Sequence, residues 1–338
     1  MKIAIFDTHA FEKEIFIKTN LKYLHQLSFI ESRLNSQTAE QCAGFNGVCS
    51  FVNDKLDADT LEILKKQGVK IIALRCAGFN HVDLKSALDL QMPVVRVPEY
   101  SPYAVAEHTL ALLLTLNRKI HRAHARVREF NFSLDGLVGF DLHGKTIGVI
   151  GTGRIGRVLI KILNGFGCRV LAFDKYPHPD ILNRGSAEYC ELETIYKNSD
   201  VISLNLPLTP ETHHWINEKA LSLMRPHVFI INTGRGGLIN TAALLQALKN
   251  HKIGGAGLDV YEEEEAVFFK DHSDTGIDDD ALARLLTYPN VVVTSHQAFL
   301  TQEALTQIAE TTLSNLHQFE KTGEFNHSVY EVTRAGSR

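Results

Sequence analysis

Residues 146–174 read TIGVIGTGRIGRVLIKILNGFGCRVLAFD. The run 146–150 is apolar and β-rich, which predicts a buried strand. It leads straight into Gly151-Thr152-Gly153-Arg154-Ile155-Gly156, after which Val158, Leu159, Ile162 and Leu163 recur at helical spacing. A second strand, 169–173, closes on Asp174, eighteen positions past Gly156. Each part has a physical use in gripping a dinucleotide. Gly151 permits the tight turn, Gly153 lets backbone approach a pyrophosphate, and Gly156 lets the helix pack close to the strand. Free N–H groups and the helix dipole at the helix start favour that anion. Asp174 can accept hydrogen bonds from both adenosine ribose hydroxyls and repels a 2′-phosphate, so NAD is expected rather than NADP. Alone, the glycines would be an ordinary turn; the flanking strands, helix and acid decide the reading.

The chain has 338 residues, 44% hydrophobic and 22% charged, ordinary globular composition with room for one large or two medium domains. A net charge of −4 gives no electrostatic case for a nucleic-acid partner. Five cysteines (Cys42, Cys49, Cys76, Cys168, Cys190) lack CxxC spacing and read as reduced thiols, with no metal site implied. The start of the sequence has no apolar h-region, and the most apolar helix, 104–116, is far short of a membrane span. A soluble, cytoplasmic protein is expected.

Upstream of the glycine turn, 1–100 alternates strands (2–6, 27–32, 47–52, 70–73, 94–97) with helices (about 11–26, 38–43, 57–67, and one from Asp83). Five such units predict a parallel, helix-covered sheet. Its first turn, Asp7-Thr8-His9-Ala10, is free of glycine, so this half should serve the substrate rather than a dinucleotide. Pro98 and Pro102 bracket the expected crossover. A single long helix is predicted from Tyr103 to about Phe130, its apolar first half buried between domains or in a homo-oligomer. Six strands are expected in the second half, at 146–150, 169–173, 201–204, 228–232, 255–260 and 291–294. A last helix over 301–321 is expected to return to the first domain. The prediction is thus two doubly wound parallel-sheet α/β domains, 1–100 plus 300–338 for substrate and 101–299 for NAD.

Ligands of open α/β sheets bind beyond the C-terminal strand ends. There the sequence has Thr233-Gly234-Arg235-Gly236-Gly237, then Asp259 followed by Glu262–Glu265, then Ser295-His296-Gln297. An arginine, a carboxylate and a histidine on one edge suit hydride transfer to a 2-oxo acid. Arg235 can hold the substrate carboxylate or carbonyl oxygen with its fork of donors. His296 can give the oxygen its proton and take it back in oxidation, and a glutamate beside it would favour imidazolium. Individually these residues are ordinary: sixteen histidines are present, and glutamate runs are usually solvated. Their joint position at successive strand ends carries the argument.

The sequence resembles the D-isomer-specific 2-hydroxyacid dehydrogenases over almost its whole length. The resemblance lies in LRCAGFNHVDL (74–84), VRVPEYSPYAVAEH (95–108), GKTIGVIGTGRIG (144–156), NLPLTPET (205–212), INTGRGGLIN (231–240), GLDVYEEEE (257–265) and TSHQAFLT (294–301). FFKDHSDTGIDDDALARLL (268–286) resembles the longer insert of the bacterial fermentative D-lactate members. The resemblance implies a flavodoxin-like substrate domain beside a Rossmann NAD domain. It implies Arg235 as the substrate-orienting residue, His296 as proton donor and Glu264 as its paired carboxylate. Gly78, Tyr100 and Phe299 would line the substrate pocket. Arg154, Ile155, Asp174, Leu206, Pro207, Thr212, Thr233, Gly234 and Asp259 would touch the cofactor, Asp259 near the nicotinamide carboxamide. Asn205 stands where the family usually has histidine. Phe51, Val52 and Phe299 could favour a methyl-bearing substrate such as pyruvate, although Phe51 and Val52 would equally suit a core. A homodimer or dimer of dimers is expected. A glyoxylate/hydroxypyruvate reductase and a non-enzymatic NADH-sensing regulator remain as alternatives.

Overall fold

Alternation of apolar side chains sets the first sheet. In a computed structural model that describes residues 1–330, five parallel strands run β1 (Lys2–Ile5), β2 (Gln26–Phe29), β3 (Gly47–Ser50), β4 (Ile71–Leu74) and β5 (Val94–Arg96), in the order 2-1-3-4-5. Ala4, Val48, Ile72 and Leu74 point into one apolar layer, and Ile3, Ile5, Cys49, Ile71 and Ala73 into the other. Helices cover both faces, as period-2 burial on two sides requires. They include α1 (Ala10–Asn20), α2 (Ala58–Lys66) and α3 (Leu84–Asp89). Asp57 and Asp83 start α2 and α3 by accepting from Thr60 N and Ser86 N.

This sheet closes over a buried ion pair. Arg75, 1% exposed, follows β4 and donates from Nε and Nη2 to the two carboxylate oxygens of Glu12, both at 2.9 Å. It also donates to the Asp7 carbonyl at 2.7 Å, and its guanidinium lies over the Phe51 ring. Glu12 caps the start of α1 by accepting from His9 N. The anion-attracting end of α1 is thereby engaged by the chain's own carboxylate. Phe51 is 3% exposed and packed on Arg75, so its environment is a core. Val52 is half-buried.

The second unit begins with α4 (Pro102–Arg118) and α5 (Ile120–Arg128). The single long helix expected from Tyr103 is broken at Lys119, which is left-handed (φ 50°). The cause is the returning loop. Asn117 donates to the Phe140 carbonyl and accepts from Phe140 N, Lys119 Nζ donates to the Val138 carbonyl, and a Cβ on Gly139 would lie 2.5 Å from the Asn117 carbonyl. The apolar face of α4 is covered within this unit. Leu112, Leu113 and Leu116 join Leu159, Leu163 and Ile231 in one core, and Leu116 would touch a Cβ on Gly257 at 3.0 Å. An oligomer contact is therefore not what buries it.

The rest of the unit is a seven-stranded parallel sheet rather than the six strands expected. Its elements are β6 (Thr146–Ile150), α6 (Arg154–Gly165), β7 (Arg169–Phe173), α7 (Pro179–Arg184), β8 (Glu188–Tyr189), α8 (Leu192–Asn198), β9 (Val201–Leu204), α9 (Glu218–Leu223), β10 (Phe229–Asn232), α10 (Thr241–Lys249), β11 (Gly255–Leu258), α11 (Asp280–Thr287) and β12 (Val291–Val293). The order is β12-β11-β10-β9-β6-β7-β8, so the additional strand is the two-residue edge β8. The order reverses at β6, and the glycine turn follows that strand.

By packing, the chain divides into Met1–Ser101 with the segment from Leu300 on, and Pro102–Phe299. The division falls one residue beyond the expected 100/101 boundary. Residues 331–338 of the expected substrate segment lie outside the described residues. The last helix, α12 (Gln302–Thr322), belongs to the first unit. Its Ala309, Leu313 and Leu316 fill the layer formed by Ile3, Ile5 and Ile71. Replacing Arg75 by Ala strands the Glu12 carboxylate among apolar groups, a change expected to cost about 3–5 kcal/mol. Urea unfolding of the Arg75→Ala protein should show this loss; an unchanged midpoint would mean the pair contributes nothing.

Candidate active site

The glycine turn shows why each glycine stands where it does. Gly151 is left-handed (φ 94°), and a Cβ there would lie 2.5 Å from the Asn205 carbonyl. A Cβ on Gly156 would meet the Gly151 carbonyl at 2.0 Å, so helix α6 could not seat against β6. Gly153 has nothing within 4 Å, leaving open space above the turn where a pyrophosphate would come. Arg154 is exposed and Ile155 half-buried at the start of α6. The half-buried Asp174 is held by a chain of donors: Thr152 gives its N–H (2.6 Å) and its hydroxyl (3.0 Å) to Oδ2, and Tyr176 N donates to Oδ1 at 2.9 Å. Behind Thr152, the Tyr189 hydroxyl donates to Thr152 Oγ1 at 2.8 Å and accepts from His178 N at 2.9 Å.

Beside the turn, Asn205 N donates to the Ile150 carbonyl at 2.7 Å, and Asn205 Oδ1 is buried without a hydrogen-bond partner. Leu206 is half-buried and Pro207 exposed. Thr212 folds that loop, donating to the Pro207 carbonyl and accepting from Thr209 N, both at 2.8 Å. The open glycine, the orphaned amide oxygen and the ribose-side acid fit a dinucleotide.

After β10 the loop Thr233–Gly237 is shaped by a residue the sequence did not single out. Asn232, 1% exposed, accepts from Gly234 N at 3.0 Å and donates to the Arg235 carbonyl at 2.9 Å. Thr233 shares a 2.8 Å hydroxyl contact with Thr109 of α4. Gly236 lies against the next loop so tightly that a Cβ would be 2.0 Å from the Tyr261 carbonyl. Arg235 is half-buried and uses Nη1 on the Gly234 carbonyl at 2.7 Å. Its guanidinium has five N–H donors in all, enough to hold a carboxylate as well.

His296 and Glu264 come together as a pair. His296 Nδ1 lies 2.6 Å from Glu264 Oε1, and Glu264 Oε2 accepts from Tyr261 N at 2.9 Å. With Nδ1 committed to a carboxylate, the natural tautomer carries its proton there, leaving Nε2 as the atom for chemistry. His296 is itself left-handed (φ 48°), as are four other histidines among the described residues. Asp259 fixes the turn around it. Its carboxylate, fully buried, accepts from Thr294 Oγ1 (2.5 Å), Gln297 N (2.8 Å) and Ala298 N (2.9 Å), while the Asp259 carbonyl accepts from His296 N (2.7 Å). His108 of α4 completes the cluster, with Nε2 3.0 Å from Thr294 Oγ1 and 3.3 Å from Asp259 Oδ1. The acid expected beside a nicotinamide carboxamide is thus enclosed by the turn that carries His296. Burial alone would raise the Asp259 pKa, but hydrogen bonds from His108, Thr294 and Ala298 outweigh it and hold the group below its ordinary value.

Of the other expected substrate-side residues, Phe299 is 8% exposed and ends the second unit, whereas Gly78 and Tyr100 belong to the first. The Gly78 loop is fixed by Cys76 Sγ donating to the Gly78 carbonyl and by Arg96 donating to the Ala77 carbonyl. Neighbouring glutamates serve elsewhere: Glu262 pairs with His214 and accepts from Thr241 N.

Reducing a carbonyl needs a proton donor at its oxygen and a cation to orient it, beside the hydride source. One sheet edge carries the histidine pair, the arginine loop and the nucleotide turn, which defines an NAD-linked dehydrogenase. Comparison with known proteins specifies the class. Residues 110–298 match the family described as D-isomer specific 2-hydroxyacid dehydrogenase, NAD binding domain. The chain is 53% identical over 320 residues to 2-hydroxyacid dehydrogenase homolog 1 of Schizosaccharomyces pombe, covering 94% of this chain and 96% of that protein. It is 52% identical to the D-lactate dehydrogenase of Escherichia coli, over 95% of this chain and 97% of that one. The apo structure of D-lactate dehydrogenase from Escherichia coli superimposes with a TM-score of 0.89 at 49% identity, covering 97% of this chain and all of that chain. The protein belongs to the D-isomer specific 2-hydroxyacid dehydrogenase family and uses NAD.

Because Asp259 is held below its ordinary pKa, its stabilisation is complete above the usual carboxylate range and lost as pH falls through the folded-state value. Asp259→Asn is therefore expected to cost about 1–3 kcal/mol at neutral pH, and the gap in urea midpoints from the parent should narrow towards acid. A gap independent of pH would show that the charge is not what matters. On the nucleotide side, Asp174→Ser should shrink the NADH-over-NADPH preference in kcat/KM by roughly 10–100-fold. Tyr189→Phe, which removes a hydroxyl shared by Thr152 and His178 N, should shrink it by roughly 2–10-fold. An unaltered ratio in Tyr189→Phe would mean that Thr152 needs no support.

Proposed function

We propose that the protein is a D-lactate dehydrogenase that interconverts pyruvate and D-lactate. The observation that carries this reading is the 2.6 Å pair of His296 Nδ1 and Glu264, set beside the Arg235 loop on the edge that also bears the nucleotide turn. The name of the 52% identical D-lactate dehydrogenase of Escherichia coli points to the same substrate. Arg235 binds the carboxylate of the 2-oxo acid and draws its carbonyl oxygen towards the histidine. Bound NADH supplies the hydride to the carbonyl carbon. His296 Nε2 gives a proton to the oxygen as the C–O bond becomes single, and Glu264 keeps the ring aligned through Nδ1. In oxidation the same nitrogen takes the hydroxyl proton. Phe299 lines the substrate side of the second unit, and the nucleotide contacts run through Gly151–Gly156, Leu206, Pro207, Thr212, Thr233 and Gly234. Asp259 contributes by holding the His296 turn.

The protein acts as a homodimer in the cytoplasm, in a fermentative role that regenerates oxidised NAD. Support for the dimer comes from α5 and the arm after it, where Ile120, Val127, Phe130 (85% exposed), Phe132, Leu134 and Val138 (83%) leave an apolar surface uncovered. All five cysteines are free thiols, as a reducing compartment would keep them. Among the described residues no helix is long and apolar enough to cross a membrane.

Pure protein incubated with NADH and a panel of 2-oxo acids, followed by loss of NADH absorbance, should turn over pyruvate fastest. Faster glyoxylate or hydroxypyruvate reduction would assign a reductase of those acids, and binding of NADH with no turnover would assign a sensor. Arg235→Ala should lower kcat/KM for pyruvate by about 10²–10³, and His296→Gln should remove activity at every pH. Near-normal turnover in either variant would refute the assigned role.

A further inference from the structure

Among the described residues, two clusters each bring three metal-ligating side chains together. One, His213, His214 and Glu262, adjoins the Arg235 loop, and both ring nitrogens of His214 are engaged, Nε2 with Glu262 and Nδ1 with Asn240. The other lies wholly in the first unit and serves no part of the proposed chemistry. His25 immediately precedes β2, while His317 and Glu320 stand three residues apart on α12, hence on one helix face. One ligating atom from each lies within 4.8 Å of the other two.

We propose that His25, His317 and Glu320 form a binding site for a divalent transition-metal ion of the zinc type, tying the start of β2 to the last turns of α12. Two imidazoles and a carboxylate are a donor set suited to zinc, and poorly suited to calcium or magnesium, which take oxygen ligands. The histidines carry the argument beyond proximity. The His25 side chain is entirely buried with its Nδ1 3.4 Å from Glu320 Oε2, and His317 Nδ1 is a buried ring nitrogen with no hydrogen-bond partner. Buried polar atoms are rarely left so.

The scaffold around them is already set. Asn20 brackets His25 from both sides, donating to its carbonyl at 2.8 Å and accepting from its N–H at 3.0 Å. The Tyr23 ring packs against both imidazoles, with centroids at 6.3 and 5.5 Å, and is anchored by its hydroxyl on Glu310 at 2.7 Å. The positive charge now facing Glu320 is the Met1 ammonium, which also lies 3.3 Å from His25 Nδ1. A divalent ion takes its place with twice the charge. Zinc–nitrogen bonds of about 2.0–2.1 Å require the three donors to draw inward by roughly 1 Å. The half-buried His317 and exposed Glu320 have the freedom for that movement.

Metal-stripped full-length protein, titrated with Zn2+ by calorimetry and followed by thermal unfolding, tests the site. The expected result is one equivalent bound, with a rise in Tm, because binding to the folded state alone stabilises it. His317→Ser, a change at a partly exposed position, should lose both the equivalent and the rise while keeping its zinc-free Tm and its turnover. His213→Tyr, which removes a histidine from the other cluster, should keep both. Co2+ in place of Zn2+ should give a visible d–d band in the parent and none in His317→Ser. The inference is overturned if no Zn2+ binds, if binding survives His317→Ser, or if it disappears in His213→Tyr instead.

Discussion

The strand-end edge of the second unit depends on one buried carboxylate. Asp259 sits at the end of β11 with no exposure to solvent, and three separate donors from the segment Thr294–Ala298 converge on its two oxygens. Without that charge, two backbone N–H groups and a hydroxyl would lose their acceptor inside the protein, where an unmade hydrogen bond is expensive. The turn they define carries His296 in a left-handed conformation. Position and direction of the imidazole are therefore set from the backbone side by Asp259 and from the ring side by Glu264. His108 and Thr294 extend the network to α4, so the helix that opens the second unit also braces its last loop.

The two sheets use the same architecture for opposite electrostatic ends. At the β6–α6 turn the helix start is left open, with space above Gly153 and a free amide oxygen on Asn205. At the β1–α1 turn the helix start is closed by Glu12, which is locked to the buried Arg75. A helix N-terminus attracts an anion in either case. The second unit offers it to a ligand, whereas the first satisfies it internally and turns the attraction into packing.

Much of this was legible in the sequence because it rests on short-range pattern. Apolar runs located eleven of the strands, and the glycine spacing located the turn whose Cβ contacts exclude larger residues at Gly151 and Gly156. The Glu264–His296 pair could be anticipated from strand ends and from the family resemblance. What escaped has long-range causes. Strand β8 is two residues long and includes a glutamate, so no hydrophobic pattern marks it. The break at Lys119 follows from Phe140 and Val138 returning to the end of α4, which helical periodicity cannot register. Asn232, Thr294, His108 and Tyr189 act through another residue, and polar side chains of that kind look like any others until the fold aligns them. The apolar face of α4 was visible, but its partner was not: Gly257, lacking a side chain, lets the helix lie directly on β11.

The first unit receives Ala309, Leu313 and Leu316 from the far end of the chain. During synthesis the stretch that makes up the second unit is complete before α12 has emerged. Until then the face of the first sheet with Ile3, Ile5, Ile71 and Val95 is covered only by Phe16 and its neighbours on and after α1. Long separation adds little to the equilibrium cost of closing the fold, since that cost grows only with the logarithm of loop length. Its effect is on timing: α12, translated after the whole second unit, completes the cover of an apolar sheet, so the nascent chain keeps part of that adhesive surface while the second unit is made.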